Sequence, residues 1–188
     1  MEFGVDYNKR WRPTPDSEWR TEKTIFMGNC SDLFAEGIPY TFILLILAHA
    51  NRFPENIYAF QTKNPGRIGE FLNLFPPHFL IGTTAESNRM YTDNAPRPSA
   101  RLRDIEQIPC DPSRKFITIE PVMQFDFTFF YDFLLATGIK QIYIGADSKN
   151  HGLPEPTGEE IGALVRALRK AGKTVMLKSN LSRLYKGE

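Results

Sequence analysis

Six short apolar runs in this chain all end the same way, in a cluster of polar residues on their C-terminal side. Ile25, Phe26 and Met27 are followed by Gly28, Asn29, Cys30, Ser31 and Asp32. Residues 57–60 (IYAF) lead into Gln61, Thr62, Lys63 and Asn64. Residues 79–81 (FLI) lead into Gly82, Thr83, Thr84 and, two positions on, Glu86. Residues 116–119 (FITI) end in Glu120 and Pro121, residues 142–144 (IYI) in Gly145, Ala146, Asp147 and Ser148, and residues 175–177 (VML) in Lys178, Ser179 and Asn180. Uncharged runs of this length suit strands buried on both faces, as in parallel sheets. Antiparallel strands would send alternate ends to opposite sides. A constant direction predicts parallel strands whose polar ends share one mouth, where α/β folds place their sites.

Between the runs the pattern is helical. Residues 39–51 predict a buried helix with Phe42, Leu45, Ile46 and Ala50 at helical spacing. Pro65 opens a second helix, with Ile68, Phe71 and Leu72 along one side. Residues 86–100 read as a polar loop over the mouth, and residues 101–108 as a short helix. An aromatic helix spans 126–136. Thr157 with Glu160 forms a capping box for a helix that Gly172 stops. Strand and helix alternate six times, with strand starts roughly 20 to 35 residues apart, the scale of a βα unit. A closed eight-unit barrel takes about 250 residues, so the 188 here predict an incomplete TIM-like (β/α)6 barrel of class α/β. An open doubly wound sheet is the competing arrangement; no Gly-rich dinucleotide fingerprint follows any strand. Two parts are expected: an extended arm over 1–23 and a single partial barrel over 24–188.

Composition sets limits on partners. Net charge is +1, so no global field favours nucleic acid. Interleaving of Trp11 and Trp19 with Arg10, Arg12 and Arg20 leaves base stacking by the arm open, beside a packing role. The first 20 residues are polar, and the longest apolar stretch, 40–50, is too short to span a bilayer. The expected compartment is the cytoplasm, with no membrane partner. Two cysteines, Cys30 and Cys110, make neither a disulfide framework nor a metal spacing. His49, His78 and His151 lie too far apart in sequence to suggest a zinc site or a catalytic triad.

Several of these stretches resemble a phage-associated family of radical SAM-like proteins. Residues 25–34 (IFMGNCSDLF) are similar to that family's strand ending in "DLF". Residues 60–65 (FQTKNP) are similar to its "TKnP" step, 80–84 (LIGTT) to its "wlGtt" strand and 116–121 (FITIEP) to its "siEP" strand. Residues 142–145 (IYIG) and the pair Leu177 and Lys178 follow in the same order. The resemblance covers about residues 20–185. It implies a partial (β/α) barrel, S-adenosylmethionine as cofactor and a [4Fe–4S] cluster held by a CxxxCxxC loop. This chain has no CxxxCxxC, and two cysteines cannot supply three thiolates. The expected function is that of a radical SAM-like barrel protein without the cluster loop, its substrate, small molecule or macromolecule, unspecified. A non-catalytic ligand-binding barrel, or an unrelated barrel enzyme acting on an anionic metabolite, are the alternatives; whether the chain is an enzyme stays open.

Candidate cofactor-binding residues are the polar ends of the runs: Ser31, Asp32, Lys63, Thr84, Glu86, Glu120, Asp147 and Lys178. Asp32 suits an ammonium, or else caps a following turn. Lys63 suits a carboxylate or phosphate. Thr83, Thr84, Glu86 and Asn88 offer hydrogen bonds to a ribose or adenine. Glu120, leaving a buried strand, needs a partner, for which Lys178 is the natural choice. With that pair formed, Asp32 and Asp147 remain for the ligand. No metal site is expected. An incomplete barrel also leaves the first strand with a free edge, to be covered by the arm or by a second copy in a homodimer.

Overall fold

The computed structural model describes residues 22–28, 31–91, 94–149 and 151–187. The arm up to residue 21, with Trp11 and Trp19, and Cys30 in the first loop lie outside the described residues. Strands β1 (Thr24–Met27), β2 (Ile57–Thr62), β3 (Phe79–Thr84), β4 (Lys115–Ile119), β5 (Gln141–Ile144) and β6 (Thr174–Leu177) contain all six runs. Every neighbouring pair is parallel. Their order in the sheet is their order in the chain, β1 to β6. A doubly wound sheet needs a point where strand order reverses. Among the described residues none occurs and the sheet is not closed, so the architecture is the incomplete barrel.

Alternate residues of each strand face opposite ways, and the two sets differ in chemistry. Tyr58, Phe60, Ile81, Ile117, Ile119, Ile142, Ile144 and Val175 belong to one hydrophobic core with the crossover helices. The opposite parity is mixed: it carries Leu80, Phe116, Tyr143 and Met176 and, toward the strand ends, Gln61, Gly82, Thr84, Thr118 and Glu120. On that face Thr118 Oγ1 lies 2.9 Å from Gln61 Oε1, so even mid-sheet polar groups are paired. Helices α1 (Tyr40–Asn51), α2 (Pro98–Gln107), α3 (Phe127–Ala136) and α4 (Gly158–Lys170) supply most of the covering layer. α4 buries Ile161, Leu164, Val165 and Leu168, an unbroken helical stripe, and the expected capping box of Thr157 and Glu160 is formed.

Two crossover segments depart from the sequence reading. Residues Pro65–Leu74 are 3₁₀ rather than α-helical. Gly66 and Gly69 lower the α preference, and the buried side chains Pro65, Ile68 and Phe71 recur every third residue, the period of the tighter helix. In α1 the buried residues are Ile43, Leu47 and Ala50, whereas Phe42 and Leu45 face outward, Leu45 at 68 % exposure. A helix that is apolar on every side contains no directional signal, so its inner face was not legible from spacing. Phe34, Phe60, Phe71 and Phe75 meet at ring-centroid distances of 4.7 to 6.1 Å beneath the first two strands. This cluster seats the segment after β1 and so fixes where Asp32 projects.

Candidate functional site at the strand ends

Asp32, Lys63, Glu86, Glu120, Asp147 and Lys178 all follow the C-terminal ends of parallel strands, so the fold gathers them at one mouth although the chain spreads them widely. They form three sets.

The first set joins β1, β2, β3 and α2. Glu86 is buried, 8 % exposed, two residues beyond β3. Its Oε1 lies 2.6 Å from Lys63 Nζ and its Oε2 2.9 Å from Arg101 Nη1. Arg101, 1 % exposed, also donates to the Thr84 carbonyl at 3.2 Å, to Thr84 Oγ1 at 3.1 Å and, through Nε, to the Pro96 carbonyl at 2.6 Å. Burial pushes the Glu86 carboxyl up, but the charges of Lys63 and Arg101 more than offset this and hold it below its ordinary value. Arg101 is the residue that sequence reasoning missed. Its signal was present: Pro98, Arg101, Leu102 and Ile105 form one buried helical stripe, and a charge on such a stripe demands a buried counter-charge.

Asp32 turns out to be held by backbone. Its Oδ1 accepts from Phe34 N at 3.0 Å and its Oδ2 from Lys63 N at 2.7 Å. It therefore ties the turn after β1 to the end of β2. Gly28 makes the turn possible: its φ is +85°, and a Cβ there would lie 2.6 Å from the Ser31 carbonyl oxygen. Ser31 sits exposed in that turn. The other loop donors are also engaged. Thr83 Oγ1 donates to the Thr62 carbonyl, and Asn88 exchanges hydrogen bonds with Asp126, whose carboxylate also accepts from Arg89.

In the second set Lys178 donates to Glu120, as the sequence suggests, and Asn180 Nδ2 donates to Glu120 Oε1 at 2.7 Å and to the Ala146 carbonyl at 2.9 Å. Gly145 lies beneath them, and a Cβ there would stand 2.6 Å from Glu120 Oε1, so a larger residue would push the carboxylate aside. Lys178 is 43 % exposed, so the pair is a rim contact rather than a buried one. In the third set Asp147 Oδ1 accepts from Lys149 N at 3.0 Å and pairs with His151 Nδ1 at 2.9 Å, while its Oδ2 accepts from His151 N. Burial raises the Asp147 carboxyl and these bonds more than cancel that effect, leaving it below its ordinary value. Asp32 and Asp147 are thus already engaged by the protein, contrary to the expectation that they stand free for a ligand.

Beside the first set opens a cleft of about 1030 Å³ lined by Asp32, Glu36, Lys63, Arg67, Glu70 and Asn94, among others. Lys63 is 42 % exposed and faces both the cleft and Glu86. Arg67 is anchored by the carbonyls of Ala35 and Ile38, which leaves its positive charge at the wall. Three carboxylates and two cations around one cleft make it strongly polar and of mixed sign.

Two measurements test this geometry. Asp32→Asn replaces one acceptor by a donor opposite a backbone N–H and is expected to cost about 2 kcal/mol in urea unfolding. Lys178→Met removes an exposed pair and should cost less than about 1 kcal/mol; the reverse ranking would contradict the roles assigned here. Because the folded-state Glu86 carboxyl is depressed below 4.5, its stabilisation is complete above that pH and is lost as pH falls through the folded value. The stability gap between wild type and Glu86→Gln should therefore narrow in acid, and a gap constant with pH would show that Glu86 is not ionised in its pocket.

The sequence matches the family described as "Protein of unknown function (DUF5131)" over residues 6–148, more than half of the chain. No curated protein and no solved structure matches it. With that span of agreement, the chain belongs to the DUF5131 family.

Proposed function

We propose that the chain is a radical SAM-like partial barrel that binds S-adenosylmethionine, or a close analogue, at the strand-end mouth, without cluster chemistry from its own residues. The observation that carries this reading is the mixed-sign cleft. An amino-acid zwitterion needs a carboxylate near an ammonium site and a cation near a carboxylate site. Lys63 and Arg67 would serve the ligand carboxylate, and Glu36 and Glu70 its ammonium. A volume of about 1030 Å³ is ample for a nucleoside-sized ligand. The order of sequence motifs and the sequential parallel strands support the same reading.

The cluster does not fit. Cys110 lies in the turn that leads into β4, at the end of the sheet opposite the mouth, and burial pushes its thiol up. A cluster ligand must be a thiolate, and three are needed. With two cysteines in the chain, one of them at the wrong end, no radical step is assigned to these residues. When bound, S-adenosylmethionine supplies a sulfonium centre; the residues here bind and orient its polar ends. The reading as a site for a simple anionic metabolite draws less support, since the cleft that holds Lys63 and Arg67 is also lined by the carboxylates of Asp32, Glu36 and Glu70, which would repel an anion without an ammonium group.

Isothermal titration calorimetry of the chain with S-adenosylmethionine is expected to give one saturable site. Lys63→Met should weaken it about tenfold, equivalent to about 1.4 kcal/mol. Absence of saturable binding at millimolar ligand would overturn the proposal, and tighter binding of inorganic phosphate than of S-adenosylmethionine would point to the anionic metabolite instead.

A further inference from the structure

The loop after β5 carries a pair that the cleft does not use. Asp147 is buried, its side chain 6 % exposed, whereas the His151 ring is 57 % exposed. His151 Nδ1 stands 2.9 Å from Asp147 Oδ1. The bonds that Asp147 accepts hold its carboxyl below the ordinary value, so it is ionised at neutral pH and has no hydrogen to give. The proton of the neutral imidazole is therefore on Nδ1, and Nε2 keeps its lone pair. Among the described residues no hydrogen bond reaches Nε2.

The ring is not needed to close the loop. Lys149 N and His151 N already tie the backbone to the Asp147 carboxylate. The Asp147 main chain is held separately: its N donates to Glu155 Oε1 at 3.2 Å, and its carbonyl accepts from Arg183 Nη2 at 3.1 Å. A carboxylate fixed through its main chain, orienting a ring whose far nitrogen is open, is the arrangement that holds an imidazole in one tautomer for proton transfer. Charge around the pair selects what it takes. Glu120 is paired with Lys178 and Glu155 with Arg183, which leaves Asp147 as the unneutralised charge beside a neutral ring. Lys149, the other cation of this loop, is exposed to solvent. A cation is drawn to such a place, and a primary ammonium also brings a proton for Nε2 to accept.

We propose that Asp147 and His151 form a general-base dyad at the mouth, which takes a proton from the primary ammonium of a substrate. The Nε2 lone pair binds one ammonium proton, and the electrons of the broken N–H bond stay on the substrate nitrogen as a nucleophilic lone pair. The positive charge passes to the imidazole ring, where Asp147 neutralises it. His151 is the group that touches the substrate, and Asp147 is a positioning residue. This inference does not rest on the ligand assigned to the cleft.

Nitrogen-15 NMR of the imidazole rings in the full chain tests it, at about pH 8, above the ordinary imidazole range. His151 is expected as the Nδ1–H tautomer, with the exposed His78 as the comparison ring. n-Butylammonium chloride should shift the His151 Nε2 resonance saturably, at least about threefold more than equal tetramethylammonium, which has the charge but no N–H to give. In Asp147→Asn that shift should shrink at least about threefold, while β3 and β4 amide resonances stay in place and report a folded barrel. A proton on Nε2 in the wild type overturns the proposal without recourse to any variant. Absence of a shift, or equal shifts from both cations, would show at most a salt effect and would overturn it equally, as would a full shift retained in Asp147→Asn.

Discussion

A buried carboxylate between two cations organises the first half of the molecule. Glu86 leaves β3 into a site that water scarcely reaches, and an unpaired charge there would cost several kcal/mol. Arg101 from α2 and Lys63 from the end of β2 neutralise it. Arg101 further binds the carbonyl and hydroxyl of Thr84, so the last residue of β3 and the following loop are held to one helix. Asp32 extends the arrangement by accepting from Lys63 N, which links the turn after β1 to the same point. Three strand ends and a helix are thus fixed relative to one another by charge and hydrogen bonding, not by apolar packing alone. The cleft lies against that rigid wall.

The sheet order explains why the wall and the other two sets face the same way. Each strand is followed by a crossover to its immediate neighbour, and a parallel crossover is right-handed, so the covering segments stack on one side. The other side of the sheet keeps its own chemistry: Gln61, Thr118 and Glu120 where a helix-facing strand residue is Phe, Ile or Val. Glu120 and Lys178 immediately follow β4 and β6, with Gly145, just after β5, beneath them, where a larger residue would displace the Glu120 carboxylate.

Much of this was legible in the sequence. All six strands, their common direction and the capping box at Thr157 followed from patterns of two or three residues whose physical meaning is unambiguous. The pairing of Glu120 with Lys178 followed from the cost of leaving a carboxylate alone at a strand end. Other features were not legible, for specific reasons. The orientation of α1 was hidden because Phe42, Ile43, Leu44, Leu45, Ile46 and Leu47 are equally apolar. For Asp32 the sequence left a ligand role and a turn cap open; the bond from Phe34 N is the cap, whereas the second donor, Lys63 N, lies 31 residues away and is brought near only by strand pairing. Arg101 was read only as the start of a short helix, although its place beside Leu102 and Ile105 marked it as buried.

The central claim is that a mouth fixed by buried charge presents a cleft suited to a zwitterionic nucleoside ligand. The most direct measurement is a crystal structure of the chain grown with S-adenosylmethionine. The account predicts ligand density in the cleft, its amino-acid end between Lys63 and the carboxylates of Glu36 and Glu70, with Glu86 still bound to Arg101. Ligand seated elsewhere on the barrel, with that cleft left to solvent, would contradict it.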